Sequence, residues 1–209
     1  MAPSQLITSV GDACDFVSRW LGVTEDLSGP DLGKGNYPDS IKLLNSRFGK
    51  LWHSQDHALR KVLNDPACPL HLLEYQDIIL SPSDYEADSD GVIDIVWENQ
   101  AVWGFGYRLP DLETLWVTGD WSDGVRTEFS EKWRAVHARV DDCIIFTLLS
   151  NLCVFGATLD DWDDPPTSRP AETDLLVWRH AAWKGFAGFW VDRDFTMLHY
   201  AGMGPTIHR

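Results

Sequence analysis

Residues 86 to 98, EADSDGVIDIVWE, carry the side chains best spaced to hold a metal ion. Glu86, Asp88 and Asp90 alternate, Gly91 stands where a calcium loop turns sharply, and Ile93 fills its hydrophobic position. Hard cations want several carboxylate oxygens converging from such a loop, closed by a bidentate Glu at the twelfth position. That position is Trp97, and Glu98 comes one place late. Helices should flank such a loop, whereas VIDIVW carries the β-branched residues of a strand. The stretch therefore reads as an acidic turn leading into a strand, with no metal or cofactor assigned.

Other chemistry has weaker support. His53 and His57 are four apart, a spacing that lets one helix face share a metal, but no third ligand or HExxH accompanies them. No nucleophile elbow and no glycine-rich phosphate loop is present. The pairs Asp160/Asp161 and Asp163/Asp164 lie in DDWDDPP, where a solvated loop accounts for them without acid–base work. No catalytic residue is assigned, and the chain is not expected to be an enzyme.

Charge is the stronger signal. Thirty-two acidic against 17 basic residues give a net charge of −15 over 209 residues. Such a chain repels a phosphate backbone, which disfavours nucleic-acid binding. It attracts basic proteins and speeds their encounter. The acids concentrate at Asp84, Glu86, Asp88 and Asp90, and again at Asp160, Asp161, Asp163 and Asp164. Eleven Trp exceed what a core of this size needs, and surplus indoles serve well as contact anchors. Trp121 and Trp162 stand in or beside acidic stretches, so these ten residues form the expected partner-binding set.

The elements that must position these groups follow from periodicity. Residues 12–21 fit a short helix closed by Gly22, and a Gly- and Pro-rich loop runs over 24–37. A second helix starts at Pro38, carries Ile41, Leu44 and Phe48 on one face, and is expected to end at Gly49. Another is expected over 52–63. Strands are expected at 76–80, 92–97, 101–107 and 114–119, with Glu98-Asn99-Gln100 turning one strand into the next. Residues 126–138 are ambiguous. The uncharged run from Cys143 to Leu159 is too short and too poorly flanked for a span and reads as a buried helix from about Val140 to Phe155. Terminal strands follow, with a hairpin turn at Asp192-Arg193-Asp194. Segregated helices and strands predict an α+β fold, a mainly antiparallel β-sheet with helices packed on it. Cys14, Cys68, Cys143 and Cys153 form no CxxC, and the first residues lack a basic signal-peptide region; reduced thiols in the cytoplasm are expected.

The order of these elements resembles the SUKH superfamily (the SMI1/KNR4-like proteins). The resemblance rests on YPDSIKLLNSRFGK, VIDIVW, ENQAVWGFGY, ETLWV, VDDCIIFTLLSNLCVFGA and FAGFWVDRDFTMLHYAG, and covers roughly residues 36 to 203. It implies a SUKH-like domain over 37–209, preceded by an extension over 1–36 holding a short helix and a Gly/Pro loop. Glu98, Asn99, Gln100 and Trp103 would be its structural motif. Many bacterial members are immunity proteins that bind and block a cognate toxin, often a nuclease or deaminase. The resemblance thus implies a cytoplasmic binder of a basic protein toxin, without nucleic-acid or membrane partners. A SUKH-like scaffold with another partner is the alternative. A carbohydrate-binding or enzymatic protein is a third reading, which coplanar exposed Trp rings in a groove would favour.

Overall fold

The computed structural model describes residues 5–52, 72–73, 77–98, 103–119, 130–156, 171–180, 188–201 and 206–208. The fold is α+β, with every strand pairing antiparallel. Helix α1 spans Val10–Leu21 and α2 spans Asp39–Trp52. A five-stranded meander follows: β1 (Asp77–Ile79), β2 (Val92–Glu98), β3 (Trp103–Arg108), β4 (Thr114–Gly119) and β5 (Ser130–Arg139), in that spatial order. Helix α3 (Val140–Gly156) leads to a second sheet of β6 (Leu175–Trp178), β7 (Gly188–Val191), β8 (Met197–Ala201) and β9 (Thr206–His208), again in sequence order.

Helix α1 is set by its ends. The Ser9 hydroxyl accepts the Asp12 N–H at 3.1 Å, satisfying one of the donors that a first turn leaves open. Gly22 closes the helix in the left-handed region at φ 65°, its N–H returning to Arg19 O. Helix α2 runs past Gly49 to Trp52, three residues beyond the expected end. Gly49 is a packing glycine: a Cβ there would lie 2.5 Å from Gly29 Cα, so the loop before α2 crosses directly over the helix backbone. Lys50 N–H donates to Leu27 O at 3.0 Å and holds that crossing.

Helix α3 is the centre of the core. Ile144, Leu148, Leu149 and Cys153 are fully buried, and the helix touches α1, α2 and strands of both sheets. An apolar surface on all sides is what a helix enclosed by other elements requires. Cys143 and Cys153 are buried free thiols, as is Cys14; burial pushes Cys14 up to about 12 and raises the others further. Cys68 lies outside the described residues. Among the described residues no helix is long and apolar enough to cross a membrane.

The segment before residue 37 shares this core. Ile7, Val10, Ala13, Cys14 and Val17 belong to the same buried cluster as α3. The Leu6 and Ile7 N–H groups donate to Leu176 O and Val177 O, each at 3.0 Å, fastening the early chain to β6.

The expected strand cores are present at β2, β3 and β4, and Ser130–Arg139, largely ambiguous in sequence, forms β5. The β7–β8 hairpin turns at residues 192–196, where the Asp192 carboxylate accepts the Thr196 N–H at 2.7 Å and the Met197 N–H at 2.8 Å. Of the helix expected over 52–63, Trp52 ends α2, and the rest, with His53 and His57, lies outside the described residues.

Candidate surface site on the five-stranded sheet

The acidic stretch is a turn before a strand. Pro82–Asp84 forms one 3-10 turn capped by the Ser81 hydroxyl. Beyond it, the Asp88 Oδ1 accepts the Asp90 N–H at 2.8 Å and the Val92 N–H at 2.9 Å, and Gly91 takes φ 75°. Asp88 is therefore the acceptor that builds the reversal, as short acidic side chains do in turns. Asp84, Glu86, Asp88 and Asp90 are all exposed. Desolvation works to raise the Asp88 carboxyl, but the Val92, Trp133 and Asp90 hydrogen bonds and the Arg108 charge outweigh it and hold it below the usual range.

The second oxygen of Asp88 reaches the sheet. The Trp133 indole N–H donates to Asp88 Oδ2 at 2.6 Å, and the Trp97 indole N–H donates to Asp94 Oδ2 at 3.0 Å. The two rings meet edge to face, 6.4 Å apart and 70° inclined. Both are half-buried. They are not coplanar, so this pair does not form the flat platform that would favour the carbohydrate reading. Beside them the Arg108 guanidinium lies 3.7 Å from the centre of the Trp116 ring.

A bulge and two glycines make this arrangement. Strict alternation along β2 would send Asp94 and Trp97 to opposite faces. The register slips between Asp94 and Val96, so both residues point to the face away from the helices, opposite Gly106 and Gly104. Neither glycine has a side chain to fill the middle of that face. A Cβ on Gly104 would stand 3.1 Å from the Trp97 ring, so the indole lies directly on the β3 backbone. Trp116 opposes Gly106 on the same face, and Trp133 lies two residues from Ala135, its cross-strand partner. Rings from β2 and β5 can thus meet across β3 and β4.

The opposite face carries a second constellation. Glu98 is buried and faces Asp77 across the β1–β2 pair, Asp77 itself being 1% exposed. Asn151 of α3 clamps the site: its Oδ1 accepts the Asp77 N–H at 3.0 Å, and its Nδ2 donates to Asp77 O at 2.7 Å and Leu72 O at 2.9 Å. Burial first, and the neighbouring Glu98 second, push the Asp77 carboxyl up to about 8. Glu98 is therefore part of a buried polar joint between the sheet and α3. Trp103 packs its half-buried ring against Phe105, with centroids 4.8 Å apart, at the margin of the core.

Of the expected partner-binding residues, Asp84 lies in the 3-10 turn, Asp88 and Asp90 in the reversal after it and Glu86 between them, all exposed. Trp121, Asp160, Asp161, Trp162, Asp163 and Asp164 lie outside the described residues, as do Asn99 and Gln100. Sequence reasoning missed Trp97, Trp116, Trp133 and Arg108 as a group, and it missed Asp77 and Asn151. The available signal was the GFG sequence opposite VIDIVWE, small residues placed in register with large ones. No family model, curated protein or solved structure matches this chain.

Proposed function

We propose that this chain is a cytoplasmic binding protein of the immunity type, which captures a basic protein toxin and blocks its working surface. The observation that carries the reading is the continuity of charge and indole on one sheet. Four exposed acids precede β2, and Asp88 among them is hydrogen-bonded to Trp133. Such a surface supplies the two things a tight complex needs. The net charge of −15 draws a basic partner in quickly, and half-buried indoles anchor it once it has docked. Occlusion requires no catalytic group on this chain. The resemblance in element order to the SUKH superfamily agrees with the reading.

The test is co-expression. The open reading frame adjacent to this gene is expressed with and without this protein, and growth and complex formation are followed. Rescue from killing together with a one-to-one complex is the expected result. Toxicity without rescue or complex formation overturns the immunity reading.

A further inference from the structure

The proposed partner is basic, and the five-stranded sheet contains a feature suited to one kind of basic side chain. Resting on that reading, we propose that the outer face of this sheet receives an arginine-bearing loop of the partner, with Trp97 and Trp133 stacking on its guanidinium groups and Asp88 and Asp90 supplying the opposing charge.

Three observations support this choice. First, the face already holds a guanidinium in this manner: Arg108 sits 3.7 Å from the Trp116 ring centre, and its charge acts on Asp88. A planar, weakly hydrated guanidinium stacks on indole better than an ammonium does. Second, the Trp133 and Trp97 indoles each donate their N–H to a carboxylate, at 2.6 and 3.0 Å. A hydrogen bond to an anion polarises the donor, so electron density shifts into the ring and its face becomes more attractive to a cation. Third, the two rings meet at 70° and offer a corner, not a flat strip. A corner with carboxylates behind it suits a projecting cation, whereas a flat strip suits a sugar ring.

Asp94 is less exposed than Asp88 and Asp90. Its carboxyl is raised by desolvation, with the Asp88 charge adding to this and the Trp97 hydrogen bond opposing it. Its role is to hold Trp97 in place, while the exposed Asp88 and Asp90 act on the ligand.

The test uses the whole chain, labelled with nitrogen-15, and an amidated nona-arginine peptide at physiological salt. Single Trp→Phe variants assign the indole N–H signals. The expected result is saturable movement of the Trp97 and Trp133 indole signals, with nona-lysine binding more weakly. Trp133→Leu should weaken the arginine peptide roughly fivefold, the effect of one lost cation–π contact. If that variant loses its signal dispersion, Trp133→Phe, which keeps a ring in the same place, should weaken binding roughly twofold. Indole signals that stay still, equal affinity in the variant that folds, or equal binding of the two peptides would each overturn the proposal, leaving general charge attraction. A failed peptide test alongside successful toxin rescue would reject the arginine corner and leave the immunity reading standing. A successful peptide test without rescue would do the reverse.

Discussion

Asp77 and Glu98 stand directly opposite each other across β1 and β2, both buried and both acidic. Opposed carboxylates on one face of an antiparallel pair have Cβ atoms roughly 5 Å apart, and two charges there are destabilising. Withdrawn from water beside a second carboxyl, Asp77 is the group pushed upward.

The first prediction concerns pH. The Asp77 carboxyl rises from 3.8 unfolded to about 8 folded, so the native state binds the extra proton between those values. Its stabilising contribution is complete below about pH 4 and is lost as pH rises toward 8. Asp12, Asp88, Asp111 and Asp192 are lowered, and their contributions fade only as pH falls below the ordinary carboxylate value. The two effects therefore separate. Urea midpoints of the wild type should fall between pH 5 and pH 8.5, and Asp77→Asn should flatten that slope and be the more stable protein at the alkaline end. A constant difference between the two proteins across the range would show that Asp77 takes up no proton on folding.

The second prediction concerns the clamp. Asn151→Leu leaves the Asp77 N–H, Asp77 O and Leu72 O without their side-chain partner inside the protein. Each buried group deprived of its bond costs roughly 1–3 kcal/mol, so for three groups a total loss of at least about 3 kcal/mol is expected from chemical denaturation. A loss below about 1 kcal/mol would mean that the joint is not structural.

The third prediction tests the crossing at Gly49. Alanine ordinarily stabilises a helix over glycine by roughly 1 kcal/mol. Here its Cβ would lie 2.5 Å from Gly29 Cα, a backbone atom that cannot swing aside. Gly49→Ala should therefore destabilise by about 1–3 kcal/mol, reversing the usual sign. A thermal melt of the variant against wild type decides this.

The fourth prediction concerns speed. If a net charge of −15 steers a basic partner, the association rate should fall at least roughly tenfold between 50 mM and 500 mM salt, with a smaller change in dissociation. Stopped-flow mixing at the two concentrations measures it, and a rate indifferent to salt removes steering from the mechanism.

Much of the fold was legible because local rules and tertiary packing agree in it. Helix α1 has a capping hydroxyl before it and a glycine after it, and α3 is apolar on every side because it is enclosed on every side. β5 was not legible, since register slips on its pairing with β4 break the alternation a strand would show: Lys132, Ala135 and His137 are exposed, and Trp133, Arg134 and Val136 are intermediate. The end of α2 was misread because a glycine that looked like a terminator is a contact point for a loop twenty residues earlier. The acidic turn at 84–90 could be found from composition alone. The indole face could not, because its formation depends on one slip near Ile95 that re-aims Trp97, and periodicity read in steps of two assigns that side chain to the wrong side.

The tie between Leu6–Ile7 and β6 has a consequence for how the protein comes into being. Ile7 waits for Val177, some 170 residues later in the chain. At roughly 5–20 residues per second, a ribosome needs on the order of 10–30 s to supply that partner. Until then the Leu6 and Ile7 N–H groups have no β6 carbonyls to bond, while α1 packs against α2 and α3. A messenger cut short before residue 177 would release a chain whose residues 6 and 7 still lack their strand partner, a loose end open to proteases. The core thus closes late, when residues 6 and 7 are joined to a strand made some 170 residues after them.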